Sequence, residues 1–166
     1  MPAISMTTSV LTVEDDPIVR ADLRLVLETA GFEVCADARD GVEAVDLARE
    51  HEPDVILLDL GLPRLDGVEA TRRILAERDV PIVALTGRSC DLAEEAVEAG
   101  ATSVVRKPFE EGVVVRALHD AVVARRRRQS RAAIGDLLKL LGYPEEWSEQ
   151  LEQEAFARGR AWRRVG

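Results

Sequence analysis

Short apolar runs alternate along the chain with longer segments in which apolar residues recur every three or four positions. The run Val55–Leu58 is apolar throughout and partly β-branched, which is typical of a strand buried on both faces of a parallel sheet. Four similar runs predict further strands, at Ser9–Val13, Phe32–Ala36, Val80–Leu85 and Thr102–Val105. Because strand and helix alternate five times with short connections, the pattern predicts a doubly wound α/β fold with a five-stranded parallel sheet.

Several predicted helices carry signals at their ends. Asp16 stands directly before Pro17, a residue suited to the first position of a helix, and is therefore a predicted N-cap. Gly31 and Gly100 follow the last apolar positions of their helical segments and predict where these helices end.

The chain after residue 124 has a different pattern. The basic run Arg125–Arg128 is followed by an apolar stripe, and a second helix is predicted from Pro144, with Trp147 and Trp162 on its apolar positions. Two amphipathic helices separated by a short break indicate a helical hairpin. The stripe consists of Ile134, Leu137, Leu138 and Leu141. We therefore predict an N-terminal extension at 1–8, an α/β domain at 9–124 and a basic linker with a helical tail at 125–166.

Charge supports this division. The net charge is −9, but the tail from residue 125 carries a net +4 and the body before it a net −13. The acidic charge of the body argues against nucleic acid as its partner. The basic tail is still compatible with binding to RNA. No apolar run approaches the roughly 18 residues of a membrane span, and residues 1–8 lack the features of an export signal. We expect a cytoplasmic protein with no membrane partner.

Polar side chains follow four of the predicted strands. Glu14 and Asp15 follow the first strand, Asp59 the third, Thr86 the fourth and Lys107 the fifth. Because the carboxyl ends of parallel strands share one edge of a sheet, these residues can converge. Clustered carboxylates repel one another unless a cation intervenes, and a hard dication such as Mg²⁺ prefers oxygen ligands. An acidic nucleophile beside a dication, a lysine and a hydroxyl suits phosphoryl transfer.

Residues from about 10 to 124 resemble the receiver domain of two-component response regulators, a flavodoxin-like fold of the CheY type. The resemblance rests on motifs that occur in the family's order within the strand–helix pattern. They are the acidic run Glu14–Asp16, Asp59, Leu62-Pro63, Asp66-Gly67, Thr86 and Lys107-Pro108-Phe109.

The resemblance implies a role for each matching residue. Asp59 would be the phosphoacceptor, attacking the phosphoryl group of a phosphohistidine. Lys107 and Thr86 would bind phosphoryl oxygens, together with the backbone N–H groups of Gly61 and Gly87. The partner would be a sensor histidine kinase or a phosphotransfer protein, and the chain would catalyse only its own phosphorylation and dephosphorylation.

The resemblance also implies a magnesium site. Asp15, Asp59 and the backbone carbonyl of Gly61 would ligate Mg²⁺, and Glu14 would hold a metal-bound water. We assign Asp16, the third acid of the run, to the helix cap instead. The bond between Lys107 and Pro108 would be cis, as in the family.

Three positions depart from the family or vary within it. Receiver domains often place an aromatic residue three positions before the lysine, where this chain has Val104. Gly61 and Arg88 occupy the variable positions that tune the lifetime of the phosphate in such domains. Gly61 would leave the site open, whereas Arg88 could either shield the phosphate or remain a solvated surface charge.

The output is less constrained than the site. We favour signalling by protein–protein contacts or dimerisation through the tail. One alternative is a receiver-controlled RNA-binding regulator, through a weak similarity of the tail to antiterminator domains. Another is a Mg²⁺-dependent phosphohydrolase that uses Asp59 as its nucleophile.

Overall fold

A computed structural model describes residues 7–87, 90–144 and 146 of the chain. It contains a five-stranded sheet in which every neighbouring pair of strands is parallel, in the order β2-β1-β3-β4-β5. The strands are β1 (Ser9–Val13), β2 (Glu33–Ala38), β3 (Val55–Asp59), β4 (Ile82–Thr86) and β5 (Ser103–Arg106). The helices are α1 (Pro17–Thr29), α2 (Gly41–His51), α3 (Gly67–Glu77), α4 (Cys90–Glu98) and α5 (Glu111–Leu140). The predicted doubly wound α/β fold is confirmed.

Strand β3 lies at the centre of the sheet and is buried along its whole length. Its side chains alternate between two apolar layers. Ile56 and Leu58 pack with buried residues of α2, α3 and α4, whereas Val55 and Leu57 pack with those of α1 and α5. Helices therefore cover both faces of the sheet, which explains why β3 is apolar at successive positions.

The first helix begins as predicted. The Asp16 carboxylate accepts hydrogen bonds from the backbone N–H groups of Ile18 and Val19, at 2.8 and 3.3 Å. Pro17 follows as the first helical residue. Asp16 is therefore used as a helix cap.

Helix α5 continues through the arginine run Arg125–Arg128, which was predicted to be part of a linker. Its last buried residue is Val122, yet the helix extends to Leu140. The segment 124–134 contains neither glycine nor proline and is rich in alanine and arginine, which are strong helix formers. Gly142 follows the end of the helix, and its φ of 79° lets the N–H groups of Gly142 and Tyr143 donate hydrogen bonds to carbonyls of the last turn.

The chain divides into two compact units, 1–123 and 124–166. The predicted second tail helix and the hairpin it would complete, with Trp147 and Trp162, lie outside the described residues. Residues 1–6 and Arg88 do so as well. No described helix is both long and apolar enough to cross a lipid bilayer.

Candidate functional site

The polar residues predicted to converge do so at the carboxyl edge of the sheet. Glu14 follows β1, Asp59 ends β3, Thr86 ends β4 and Lys107 follows β5. These four strands are consecutive neighbours in the sheet. Parallel pairing therefore brings together residues that are far apart in sequence.

Lys107 connects two of the carboxylates. Its Nζ lies 2.6 Å from Asp59 Oδ2 and 3.0 Å from Glu14 Oε2. Glu14 and Asp59 are 2% and 7% exposed, so the ammonium group compensates two buried negative charges. Such charge-assisted hydrogen bonds are stronger than neutral ones.

Burial and neighbouring charges shift the pKa of two groups in this cluster, Glu14 and Lys107. Burial raises the pKa of the Glu14 carboxyl above its ordinary value of 4.5, and the negative charge of Asp59 adds to the effect, although the hydrogen bond from Lys107 opposes it. Burial alone would lower the pKa of Lys107, but its hydrogen bonds to Asp59 and Glu14 outweigh burial and raise the pKa above 10.5. Lys107 is therefore a permanent cation at neutral pH.

The acidic cluster matches the chemistry of a magnesium site. One carboxylate oxygen from each of Glu14, Asp15 and Asp59 lies within 4.8 Å of the others. Asp15 is exposed and opens the cluster to solvent. Hard oxygen ligands with access to water are what Mg²⁺ prefers, because it retains several water ligands when bound.

Two glycines leave space beside the reactive groups. The N–H of Gly61 donates a hydrogen bond of 3.1 Å to Asp59 Oδ1, so both oxygens of Asp59 have partners. A Cβ added at Gly61 would lie 3.7 Å from that oxygen, and one added at Gly87 would lie 4.0 Å from Cδ of Lys107. Both glycines are exposed. An approaching ligand would thus meet backbone at both positions.

Thr86 and Val104 lie on the same face of the sheet. Thr86 is buried at the end of β4, and its carbonyl accepts a 2.7 Å hydrogen bond from the Lys107 N–H. Val104 pairs with Ala84, two residues before Thr86. It packs half-buried against the apolar layer formed with α2, α3 and α4. Any coupling between Thr86 and this position therefore involves a small aliphatic side chain.

The bond between Lys107 and Pro108 is cis, as the resemblance implied.

Sequence reasoning missed three residues around the site. Arg20 on α1 donates hydrogen bonds to the backbone carbonyls of Glu14 (2.6 Å) and Asp15 (3.3 Å), supporting the acidic turn. Asp40 and Arg64 form an ion pair of 3.0 Å beside the loop that follows Asp59. The capping pattern Asp40-Gly41 was a usable signal for α2, but no sequence spacing pointed to Arg64 or Arg20.

Comparison with known proteins decides the family. The model of the response regulator receiver domain matches residues 10–119. This chain belongs to the response regulator receiver family. The match contains all the strand-end residues described above and the whole sheet except Ser9.

The chain is also similar to two longer proteins with different names. The chain is 40% identical over 144 residues to the transcriptional regulatory protein PdtaR of Mycobacterium tuberculosis, covering 86% of this chain and 66% of that protein. It is 44% identical over 106 residues to a protein-glutamate methylesterase/protein-glutamine glutaminase of Nitrosospira multiformis, covering 60% of this chain and 30% of that protein. The chain thus spans less than two thirds of the length of either relative.

A solved structure resembles the receiver domain closely. It is the receiver domain of the sensor histidine kinase PA1611 from Pseudomonas aeruginosa, with a TM-score of 0.64 and 34% identity, covering 70% of this chain and 98% of that one. That structure holds a magnesium ion in its active-site cleft.

Proposed function

We propose that this receiver domain is a phosphoacceptor switch, phosphorylated on Asp59 in the presence of Mg²⁺ by a sensor histidine kinase or a phosphotransfer protein. The observation that carries the proposal is the position of Asp59. Its carboxylate accepts a hydrogen bond from Lys107 and lies close to the carboxylates of Glu14 and Asp15. Membership of the receiver family supports the same role.

The chain's own residues supply the remaining chemistry. An Asp59 oxygen attacks the phosphorus of the donor, the bond from phosphorus to the donor nitrogen breaks, and the imidazole departs. Lys107 would neutralise charge on a phosphoryl oxygen, and Thr86 would donate a hydrogen bond to another. The N–H groups of Gly61 and Gly87 extend this set of donors. Mg²⁺, held by Asp15, Asp59 and the Gly61 carbonyl with Glu14 beside it, would supply charge neutralisation between donor and acceptor.

The direct test is the intact mass of the protein after incubation with acetyl phosphate and Mg²⁺. We expect one phosphoryl adduct that requires Mg²⁺ and is absent from Asp59→Asn, which preserves the shape of the side chain. An adduct of equal yield in Asp59→Asn would place the phosphoryl group elsewhere. Sustained turnover of small phosphoesters would instead indicate a phosphohydrolase.

For the output we propose protein–protein contacts or dimerisation through the segment after residue 123. Ile134, Leu137 and Leu140 are exposed on α5, and exposed apolar side chains on one helix favour a protein partner.

RNA binding by the same segment is the alternative, and one observation favours it. The match to PdtaR, a transcriptional regulator, covers 86% of this chain. Residues 1–119 make up a smaller share than that, so the match must extend past residue 119 into this segment. Arg126, Arg127 and Arg128 are exposed there. RNA binding would weaken steeply with added salt and would be lost when these arginines are replaced by glutamine. A filter-binding titration at two salt concentrations distinguishes this alternative from a protein partner.

A further inference from the structure

The loop after Asp59 is fixed to the first turn of α2 by a buried carboxylate. Asp40 is the N-cap of α2, and its Oδ1 accepts hydrogen bonds from the N–H groups of Val42 and Glu43, both at 2.9 Å. Its Oδ2 accepts a 3.0 Å hydrogen bond from Nη1 of Arg64. The Asp40 side chain is only 4% exposed. One carboxylate therefore joins α2 to the β3–α3 loop.

Arg64 adopts a backbone conformation that is unusual for its residue type. Its φ is 66°, in the left-handed region that favours glycine. Its side chain is 66% exposed but reaches back to the buried Asp40. If the loop needed only to turn at this position, glycine would turn it without steric cost. The arginine is explained by the hydrogen bond that its side chain makes.

The α2 helix also touches the loop backbone directly. A Cβ added at Gly41 would lie 2.2 Å from the carbonyl oxygen of Leu65. The loop is closed at its base by a 3.2 Å hydrogen bond from the Gly67 N–H to the Leu60 carbonyl. Residues 61–66 are thus held at both ends and, through Arg64, in the middle.

We propose that Asp40 and Arg64 are positioning residues that hold the β3–α3 loop so that the Gly61 backbone faces the magnesium and phosphoryl site. The proposal rests on the phosphoacceptor function proposed above, because Gly61 is where the loop meets that site. Gly61 already contacts Asp59 through its N–H, and its carbonyl is the expected backbone ligand of the metal. Neither Asp40 nor Arg64 would touch the metal or the phosphoryl group.

The pKa of Asp40 agrees with this arrangement. It is lowered from its ordinary value, first by the hydrogen bond from the Glu43 N–H and also by the positive charge of Arg64. Asp40 is therefore ionised at neutral pH and remains a charged partner for Arg64.

The test measures Mg²⁺ affinity by calorimetry and thermal stability by circular dichroism on the full chain. Arg64→Ala removes the hydrogen bond but keeps a side chain in the left-handed region. Arg64→Gly removes the bond and also the steric cost, and Asp40→Asn keeps a capping acceptor but removes the charge. Arg49→Ala is the matched control, because it breaks an ion pair to Glu77 that joins α2 to α3.

We expect Arg64→Ala, Arg64→Gly and Asp40→Asn each to weaken Mg²⁺ binding by roughly tenfold, as for other residues that orient a metal ligand indirectly. Arg64→Lys should recover part of the affinity. Arg64→Gly should be at least as stable as Arg64→Ala while binding Mg²⁺ equally poorly, which a purely structural role would not produce. Arg49→Ala should bind Mg²⁺ like the wild type.

Wild-type Mg²⁺ affinity in both Arg64→Ala and Arg64→Gly would overturn the proposal, whatever their thermal stability. That outcome would leave the phosphoacceptor function intact, provided that the wild type still forms its adduct on Asp59. If the wild type neither binds Mg²⁺ nor forms the adduct, the proposed function fails, and the positioning role fails with it.

Discussion

At the scale of single residues, the site depends on one cation shared by two buried carboxylates. Lys107 lies within hydrogen-bond distance of both Glu14 and Asp59. Removing one partner of a buried charge is more destabilising than the net strength of the interaction suggests, because the remaining charge stays desolvated. Lys107 therefore contributes to folding as well as to the proposed binding of phosphate.

Replacing this lysine should make folding depend on Mg²⁺. In Mg²⁺-free buffer we expect Lys107→Met to lower the free energy of unfolding by about 1–3 kcal/mol, because Glu14 and Asp59 lose their common donor. Added Mg²⁺ should stabilise this variant more than the wild type, since the dication then has no competing cation. Urea denaturation with and without Mg²⁺ measures both effects.

A control for this variant is Arg73→Met, which breaks an exposed ion pair with Glu69 on α3. It should change stability little and should show no Mg²⁺ effect beyond that of the wild type. Equal stability of Lys107→Met and the wild type without Mg²⁺ would contradict the proposed balance of charges.

The contribution of Asp40 to stability should depend on pH. Its pKa is lower in the folded protein than the ordinary value of 3.8, so the unfolded chain binds more protons near that pH. The stabilisation is complete above the ordinary pKa and is lost as the pH falls through the lower, folded value. Asp40→Asn should therefore be less stable than the wild type at pH 6, and the gap should narrow below about pH 4.

Urea denaturation of both proteins at pH 6 and pH 3 checks this. A gap of the same size at both pH values would show that the charge of Asp40 contributes nothing.

At the scale of elements, the start of α3 packs unusually close to the end of β3. A Cβ added at Gly67 would lie 2.5 Å from the Asp59 carbonyl oxygen and 2.6 Å from Cα of Leu60. Both neighbours are backbone atoms, so they cannot move aside cheaply. This contact sets the path of the loop that leaves Asp59.

Gly67→Ala should consequently destabilise the protein by about 1–3 kcal/mol, the usual effect of overpacking. Gly112→Ala is the matched control, because nothing lies within 4 Å of a Cβ added there. Since alanine is the better helix former, that variant should be as stable as the wild type or slightly more so. Thermal melts of both variants measure the difference, and similar melting temperatures would contradict the close packing.

The sequence predicted the elements better than their contacts. The Asp66-Gly67 pair was predicted only as a motif of the receiver family, and in the structure Asp66 is the N-cap of α3. However, the reason that position 67 is glycine lies in β3, because the clash is with the backbone of Asp59 and Leu60. A residue's own helix predicts its backbone preferences, whereas the atoms opposite it depend on how two elements pack.

At the scale of the whole molecule, the core ends before α5 does. The buried side chains of α5 are Val114, Leu118, Ala121 and Val122. Beyond them the helix carries mostly exposed residues. The proposed boundary near residue 124 therefore predicts that the receiver domain folds without the segment that follows.

A chain ending at residue 124 should keep the melting temperature of the full chain to within about 4 °C, the shift that roughly 1 kcal/mol produces at this size. It should also still be phosphorylated by acetyl phosphate. A chain ending at residue 110, which lacks the buried face of α5, should fail to fold. A large loss of stability in the longer truncation would show that residues after 124 contribute to the core.

The amino-acid sequence was enough to predict the class of fold, the order of the elements and the functional groups at one edge of the sheet. It could do so because apolar spacing encodes which faces are buried, and because parallel strands place all their carboxyl ends together. Asp16, Asp59 and Lys107 were assigned correctly to helix cap or strand end from neighbouring residues alone.

Which of these groups form hydrogen bonds with one another depends on how the elements pack. The hydrogen bond from Lys107 to Glu14 joins residues that are 93 positions apart in the sequence. The hydrogen bond from Arg64 to Asp40 depends on a left-handed backbone at residue 64. Neither hydrogen bond can be predicted from the spacing of residues in the sequence, because each depends on the distance between two elements after packing. The shared lysine and the pair that fixes the β3–α3 loop therefore emerge only in the folded chain.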